Sequence, residues 1–127
     1  MKKTIIQTKL APAPIGPYNQ AVMANGMLFI SGQIAINPQS GEIEATTIEE
    51  ETHQVMKNLQ AILAEAGLDF NAVVKTTIFL TDMALFAQVN AIYGTHFASE
   101  APARETVAVK GLPKGVNVEI SMIALAN

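Results

Sequence analysis

Cysteine is absent from this chain, and tryptophan with it. Without thiols there is no disulfide, no thiol nucleophile and no Cys-ligated metal, and the absence suits a reducing compartment. Histidine occurs only at His53 and His96, at no spacing that suits a metal or a Ser-His-Asp arrangement. There is no GxGxxG, no P-loop, no HExxH and no GxSxG. Charged residues make up 15%, below the usual share of about a quarter. With 8 Lys+Arg against 11 Asp+Glu, the net charge is −3 and no basic run occurs, which argues against nucleic acid as the main partner. No stretch approaches the ~20 apolar residues of a membrane span. The opening Met1-Lys2-Lys3-Thr4-Ile5-Ile6 begins like a signal peptide, but its apolar run stops at Gln7, short of the ~7–15 residues required. The expectation is a soluble, cytoplasmic protein without cofactor or metal.

What is present is apolar: 50% of 127 residues are hydrophobic, which excludes disorder. The length fits a single domain over residues 1–127, able to bury roughly two-thirds of its unfolded surface. Residues 4–7 read as a first strand. Ala11-Pro12-Ala13-Pro14-Ile15-Gly16-Pro17-Tyr18 is too proline-rich for a helix or central strand, so Tyr18 stands at the end of a stiff, extended path. It caps the core with its hydroxyl at the surface, or it places a phenol at a pocket rim; physics leaves both open. Residues 20–24 and 27–31 flank Asn25-Gly26, the favoured pair of a type I′ hairpin turn. Gly32 then marks a bulge or a close approach to the backbone.

Thr46-Thr47-Ile48-Glu49-Glu50 opens a helix whose stripe runs from Ile48 to Ala66 and stops at Gly67. Val73 to Thr81 is a buried strand. Asp82 caps a second helix with the stripe Leu85, Phe86, Val89, Ile92, Tyr93 and Phe97. Residues 104–110 and 116–125 are the last strands, joined by the turn at Gly111-Leu112-Pro113-Lys114-Gly115. The order predicts an α+β fold, a mixed sheet of about six strands with two helices packed on one face. The other face lacks a cover of its own, so it is expected to pack against further copies of the chain.

The stretch Ala101 to Val109 draws most attention. Alternation puts Val107 and Val109 on one face, taken as the core face, and Arg104 and Thr106 on the other. A guanidinium beside a hydroxyl suits a carboxylate, since the planar fork matches two oxygens; a surface ion pair is the plainer alternative. Glu119 is a carboxylate in an otherwise apolar strand. If the strands either side of the Leu112-Pro113 turn pair as a hairpin, it shares a face with Arg104 and Thr106, away from the helices.

These residues lie in segments with a recognisable order. Ala13-Pro14-Ile15-Gly16-Pro17-Tyr18-Asn19-Gln20-Ala21, Phe29-Ile30-Ser31-Gly32-Gln33-Ile34, Val89-Asn90-Ala91-Ile92-Tyr93-Gly94, Ala101-Pro102-Ala103-Arg104 and the run from Leu112 to Ile120 span nearly the whole chain. The chain resembles the RidA/YjgF family of enamine/imine deaminases. The resemblance implies a chorismate-mutase-like fold assembled as a homotrimer with sites between subunits. It also implies hydrolysis of 2-aminoacrylate-type or 2-aminocrotonate-type intermediates, released by pyridoxal-phosphate dehydratases, to 2-oxo acids and ammonia. Arg104, Glu119 and Tyr18 would then be catalytic: Arg104 holds the carboxylate, Glu119 handles water or the proton, and Tyr18 lines the cleft. Gly32, Thr106 and Asn90 would bind substrate. Thr106 stands where many members carry Cys, and Glu105 where many carry a small polar residue. The alternatives are a non-catalytic module binding a 2-oxo acid, an RNA-directed activity, and a purely structural role.

Overall fold

The computed structural model describes residues 2–126. Six strands form one sheet: β1 Lys3–Ile6, β2 Ala21–Ala24, β3 Met27–Gln33, β4 Val73–Leu80, β5 Ala103–Ala108 and β6 Val118–Leu125, in the spatial order β1-β2-β3-β6-β4-β5. All neighbours are antiparallel except β4 and β5, which run parallel. Two helices complete the fold, α1 at Ile48–Glu65 between β3 and β4, and α2 at Phe86–Gly94 between β4 and β5.

Local chemistry fixes the element boundaries. Ala24 pairs with Met27 across Asn25 and Gly26, whose φ values of 53° and 75° are those of the expected I′ turn. Thr47 is the N-cap of α1 and accepts from Glu50 N at 3.1 Å, while the Glu50 carboxylate reaches back to Thr46 N at 2.9 Å. These contacts hold the Glu50 carboxyl below its ordinary pKa. Gly67, with φ of 76°, ends the helix. Asp82 caps a short 3-10 turn, Met83–Leu85, rather than α2 itself, because the chain needs one tight turn before the helix axis is set.

The core lies between α1 and the sheet. Val55, Met56, Leu59, Ile62 and Leu63 are fully buried, as are Leu28, Ile78, Leu80, Val118 and Ile120 on the strands. Each such side chain contributes roughly 1.5–3 kcal/mol. A smaller cluster of Ile34, Ile36 and Val116 packs beside it. The opposite face of the sheet carries no helix and leaves Ile5, Phe29, Val107 and Leu125 exposed.

The two final strands differ from the expectation. β5 does not pair with β6 as a hairpin; it runs parallel beside β4, with Thr76 opposite Arg104 and Ile78 opposite Thr106. Thr76 and Ile78 are buried under the helices, so Arg104 and Thr106 stand on the helix-covered face. Val107 is on the open face and 39% exposed, and Val109 lies beyond the strand, so this pair is not the core pair. β6 begins at Val118, because Pro113–Gly115 form a 3-10 turn in which Lys114 has a φ of 58°.

Candidate active site

Glu119 and Arg104 lie on opposite faces of the sheet. Glu119 is registered against Phe79, which is in turn opposite Val107 on the open face. Arg104 and Thr106 look toward α2. The expected sharing of a face by Arg104, Thr106 and Glu119 is therefore wrong within one chain, since it depended on the absent hairpin.

On the open side, Tyr18, Gly32, Gln33, Ile34, Pro113 and Glu119 line a small recess of about 60 Å³. Hydrogen bonds hold its walls. Gln20, itself buried, donates to the carbonyls of Ala11 and Pro12 at 3.2 and 2.9 Å and accepts from Thr8 N at 2.7 Å. Ser31 Oγ donates to Asn19 O at 2.6 Å. These bonds pin the proline-rich path against β3. Tyr18 is 47% exposed at the rim, its hydroxyl accepting from Ile15 N at 3.3 Å. The pairing of β3 with β6 shifts register between Ile30 and Gln33, which places Gly32 against the Glu119 side chain. A methyl at Gly32 would lie 2.8 Å from Glu119 Cδ. Among the described residues Glu119 has no hydrogen-bond or ionic partner, and partial burial raises its carboxyl above the ordinary pKa.

On the helix side, Arg104 rests on two rings, with its guanidinium carbon 5.0 Å from the Tyr93 centroid and 5.6 Å from that of Phe86. Its Nη1 donates to Asn90 Oδ1 at 2.8 Å. Tyr93 is fixed from behind by donating to Thr76 Oγ1 at 3.0 Å, and burial raises its phenol pKa. No carboxylate among the described residues pairs with Arg104; the ion pair nearby is Lys75 with Glu105 at 3.2 Å, on the open face. Thr106 Oγ1 is buried beside Arg104 without a hydrogen-bond partner. A guanidinium edge with no carboxylate partner can take a carboxylate, whereas the Thr106 hydroxyl is too deeply buried to reach one.

The structure thus groups the expected residues into two sets: Tyr18, Gly32 and Glu119 on one face, Asn90, Arg104 and Thr106 on the other. Sequence reasoning placed Phe86 and Tyr93 in a helical core stripe and missed that they form the shelf under Arg104. Their spacing with Asn90, at i, i+4 and i+7, puts all three on one helix face, and that polar interruption was the available signal. Among the described residues no group of three or more His, Asp and Glu could hold a metal ion, and no helix is long and apolar enough to cross a membrane.

The family described as Endoribonuclease L-PSP matches residues 8–126. Mouse 2-iminobutanoate/2-iminopropanoate deaminase is 48% identical over 123 residues, covering 97% of this chain and 91% of the mouse protein. The crystal structure of the Rid-family protein YyfA from Yersinia pestis is 50% identical, covers 98% of this chain and 99% of its own, and superposes with a TM-score of 0.95. The structure of TdcF from E. coli, solved with bound serine, is 41% identical over 96% of this chain and 98% of its own, with a TM-score of 0.90. By sequence, sheet order and helix placement alike, this chain belongs to the Endoribonuclease L-PSP family, the Rid/YjgF group of α+β proteins.

Proposed function

We propose that this protein is a cofactor-free deaminase that hydrolyses small enamines and imines of 2-amino acids to 2-oxo acids and ammonia. The observation that carries the reading is the Arg104 guanidinium on its aromatic shelf, held by Asn90 and with no carboxylate partner among the described residues. Its N–H groups not used by Asn90 can give a carboxylate charge-assisted hydrogen bonds worth roughly 1.5–3 kcal/mol each. Glu119 supplies the proton chemistry. Burial raises its carboxyl pKa, which favours the acid form that protonates the enamine carbon and gives the iminium ion. The resulting carboxylate then takes a proton from water as the oxygen adds to the iminium carbon. Glu119 then returns that proton to nitrogen, and as the carbon–nitrogen bond breaks the hydroxyl proton passes back to the Glu119 carboxylate, releasing ammonia and the 2-oxo acid and restoring the acid form.

The two half-sites face opposite ways, so the reading requires that Arg104 of one copy meets the Glu119 recess of another. Exposed Phe29, Val107 and Leu125 on the bare sheet face support packing between copies, and we propose a homotrimer with sites at its subunit contacts. Substrates would come from pyridoxal-phosphate dehydratases in the same cytoplasm. The mouse relative's name supports the reaction class. The recess lining includes no lysine or arginine, which gives an RNA-directed activity little support.

The test couples a threonine dehydratase to threonine and follows 2-ketobutyrate appearance with wild-type or Arg104→Ala protein. Acceleration by wild type alone is expected. Equal acceleration by both moves the anchor elsewhere. No acceleration by folded wild type, with 2-ketobutyrate still bound, favours a binding module.

A further inference from the structure

Glu51 is a carboxylate buried to 6% exposure in the first turns of α1, and the mechanism above does not use it. Its neighbours explain its charge. Glu51 Oε2 accepts from Asn117 N at 2.7 Å and from Val118 N at 2.9 Å, and Oε1 accepts from Asn117 Nδ2 at 2.9 Å. All three partners are donors, and a carboxylate, which only accepts, is the matching group. The need arises from the sheet. The last registered pair between β3 and β6 is Gln33 with Ile120. Beyond it β3 turns away, and the amides at the head of β6 would lack an acceptor.

What hangs on this anchor is the next residue. Glu119 follows Val118 directly, and its carboxyl is packed against Gly32 in the recess. The other side of the recess is held by the same helix two turns on. Buried Asn58, at i+7 from Glu51, donates through Nδ2 to the carbonyls of Ile34 and Ile36 at 3.1 and 3.0 Å. One face of α1 therefore presents an acceptor to the amides before Glu119 and a donor to the carbonyls after Gln33. We infer that Glu51 is a positioning residue for Glu119: it fixes the start of β6 so that the Glu119 carboxyl is set in the recess at a defined depth. This rests on the deaminase reading for its kinetic consequence, but its structural content is independent of it.

The test uses the full-length protein with Glu51→Leu, Glu51→Gln and Asn117→Ala. Gln keeps an acceptor for the backbone amides, and the Asn117 amide can turn to accept from it, so Glu51→Gln should behave as wild type. Glu51→Leu should lower kcat about tenfold while KM stays within about twofold, because the Arg104 shelf is untouched. Asn117→Ala, at an exposed position, removes one of the three bonds and should lower kcat about threefold. The second readout is the titration of the Glu119 carboxyl followed by carbon-13 NMR, which a contribution to stability alone would not move. In Glu51→Leu it should fall toward the ordinary carboxylate value as the side chain gains water, with Glu51→Gln unchanged. A folded Glu51→Leu with wild-type kcat and an unshifted Glu119 titration overturns the inference. If Glu51→Leu does not fold, Asn117→Ala decides by the same two readouts. If wild type shows no deamination, the deaminase reading fails, and the titration alone judges the positioning role.

Discussion

Substitution of Gly32 by alanine tests the site most directly, because the cost can be worked from the geometry. Gly32 is not at positive φ, so its backbone tolerates a side chain. The obstacle is Glu119. A methyl at residue 32 would lie 2.8 Å from Glu119 Cδ and 3.0 Å from Cγ, and overlap Oε2. Ordinary carbon contacts lie at about 3.5–4.0 Å, so the carboxyl must retreat by roughly 1 Å. The far end of a half-buried side chain can do this, which keeps the stability loss near the lower end of the ~1–3 kcal/mol typical of overpacking. Catalysis is less forgiving, since a misplacement of about 1 Å can cost on the order of a hundredfold, or about 2.7 kcal/mol in barrier. In the dehydratase-coupled assay Gly32→Ala should therefore lose about a hundredfold in rate while remaining folded. In a Glu119→Ala background the methyl has room, and adding Gly32→Ala should change nothing further. A Gly32→Ala protein within about twofold of wild type would remove Glu119, or its placement, from the rate-determining step.

Other consequences can be checked with standard measurements. Glu119 has a raised carboxyl pKa in the folded chain, so its stabilising contribution is full below the unfolded pKa and is lost as pH rises through the folded one. Denaturant unfolding at neutral pH should accordingly find Glu119→Gln at least as stable as wild type, with the difference closing in acid. Tyr93→Phe keeps the shelf but loses the 3.0 Å bond to buried Thr76, and calorimetry should show a loss of about 1 kcal/mol with KM unchanged. Tyr93→Leu removes one of the two rings under Arg104 and should raise KM several-fold, the counterpart of the ~0.5–2 kcal/mol of a cation–π contact. Val107→Asp puts a charge on the bare sheet face, where Val107 is already exposed within one chain. Sedimentation should show dissociated subunits, and deamination should vanish with the assembly.

Much of this architecture was legible because local signals and tertiary demands agree. Asn25-Gly26 fixed a hairpin, the Thr-rich start and Gly67 bounded α1, and a carboxylate in an otherwise apolar strand drew attention to Glu119, which lines the recess. The pairing of β5 was not legible. Alternation states which residues share a face but not which face it is, and two valines beside an arginine point to the wrong one. The deciding information is long-range: β5 lies at the sheet edge, parallel to β4, and Ile78 rather than Val107 meets the helices. The Arg104 shelf was hidden for a related reason. Phe86 and Tyr93 satisfy the pattern of a core stripe, and only the position of β5 shows that they also carry a guanidinium. Glu51 was not singled out in the sequence: it is one of three acidic residues in the first turn of α1, and its backbone partners are 66 and 67 residues away.

The sheet acts as a partition. On the reading proposed above, each chain displays the anchor for a carboxylate on one side and the proton-transfer group on the other, so that a solitary copy holds both halves of the chemistry and can combine neither. Reactivity then belongs to the contact between copies, and the amount of protein governs more than the number of sites. At concentrations below the dissociation constant of the assembly, activity per chain would fall toward zero while every chain remained fully folded. A cell could thus silence such a protein by dilution alone, and a newly made chain would be inert until it had met its own kind.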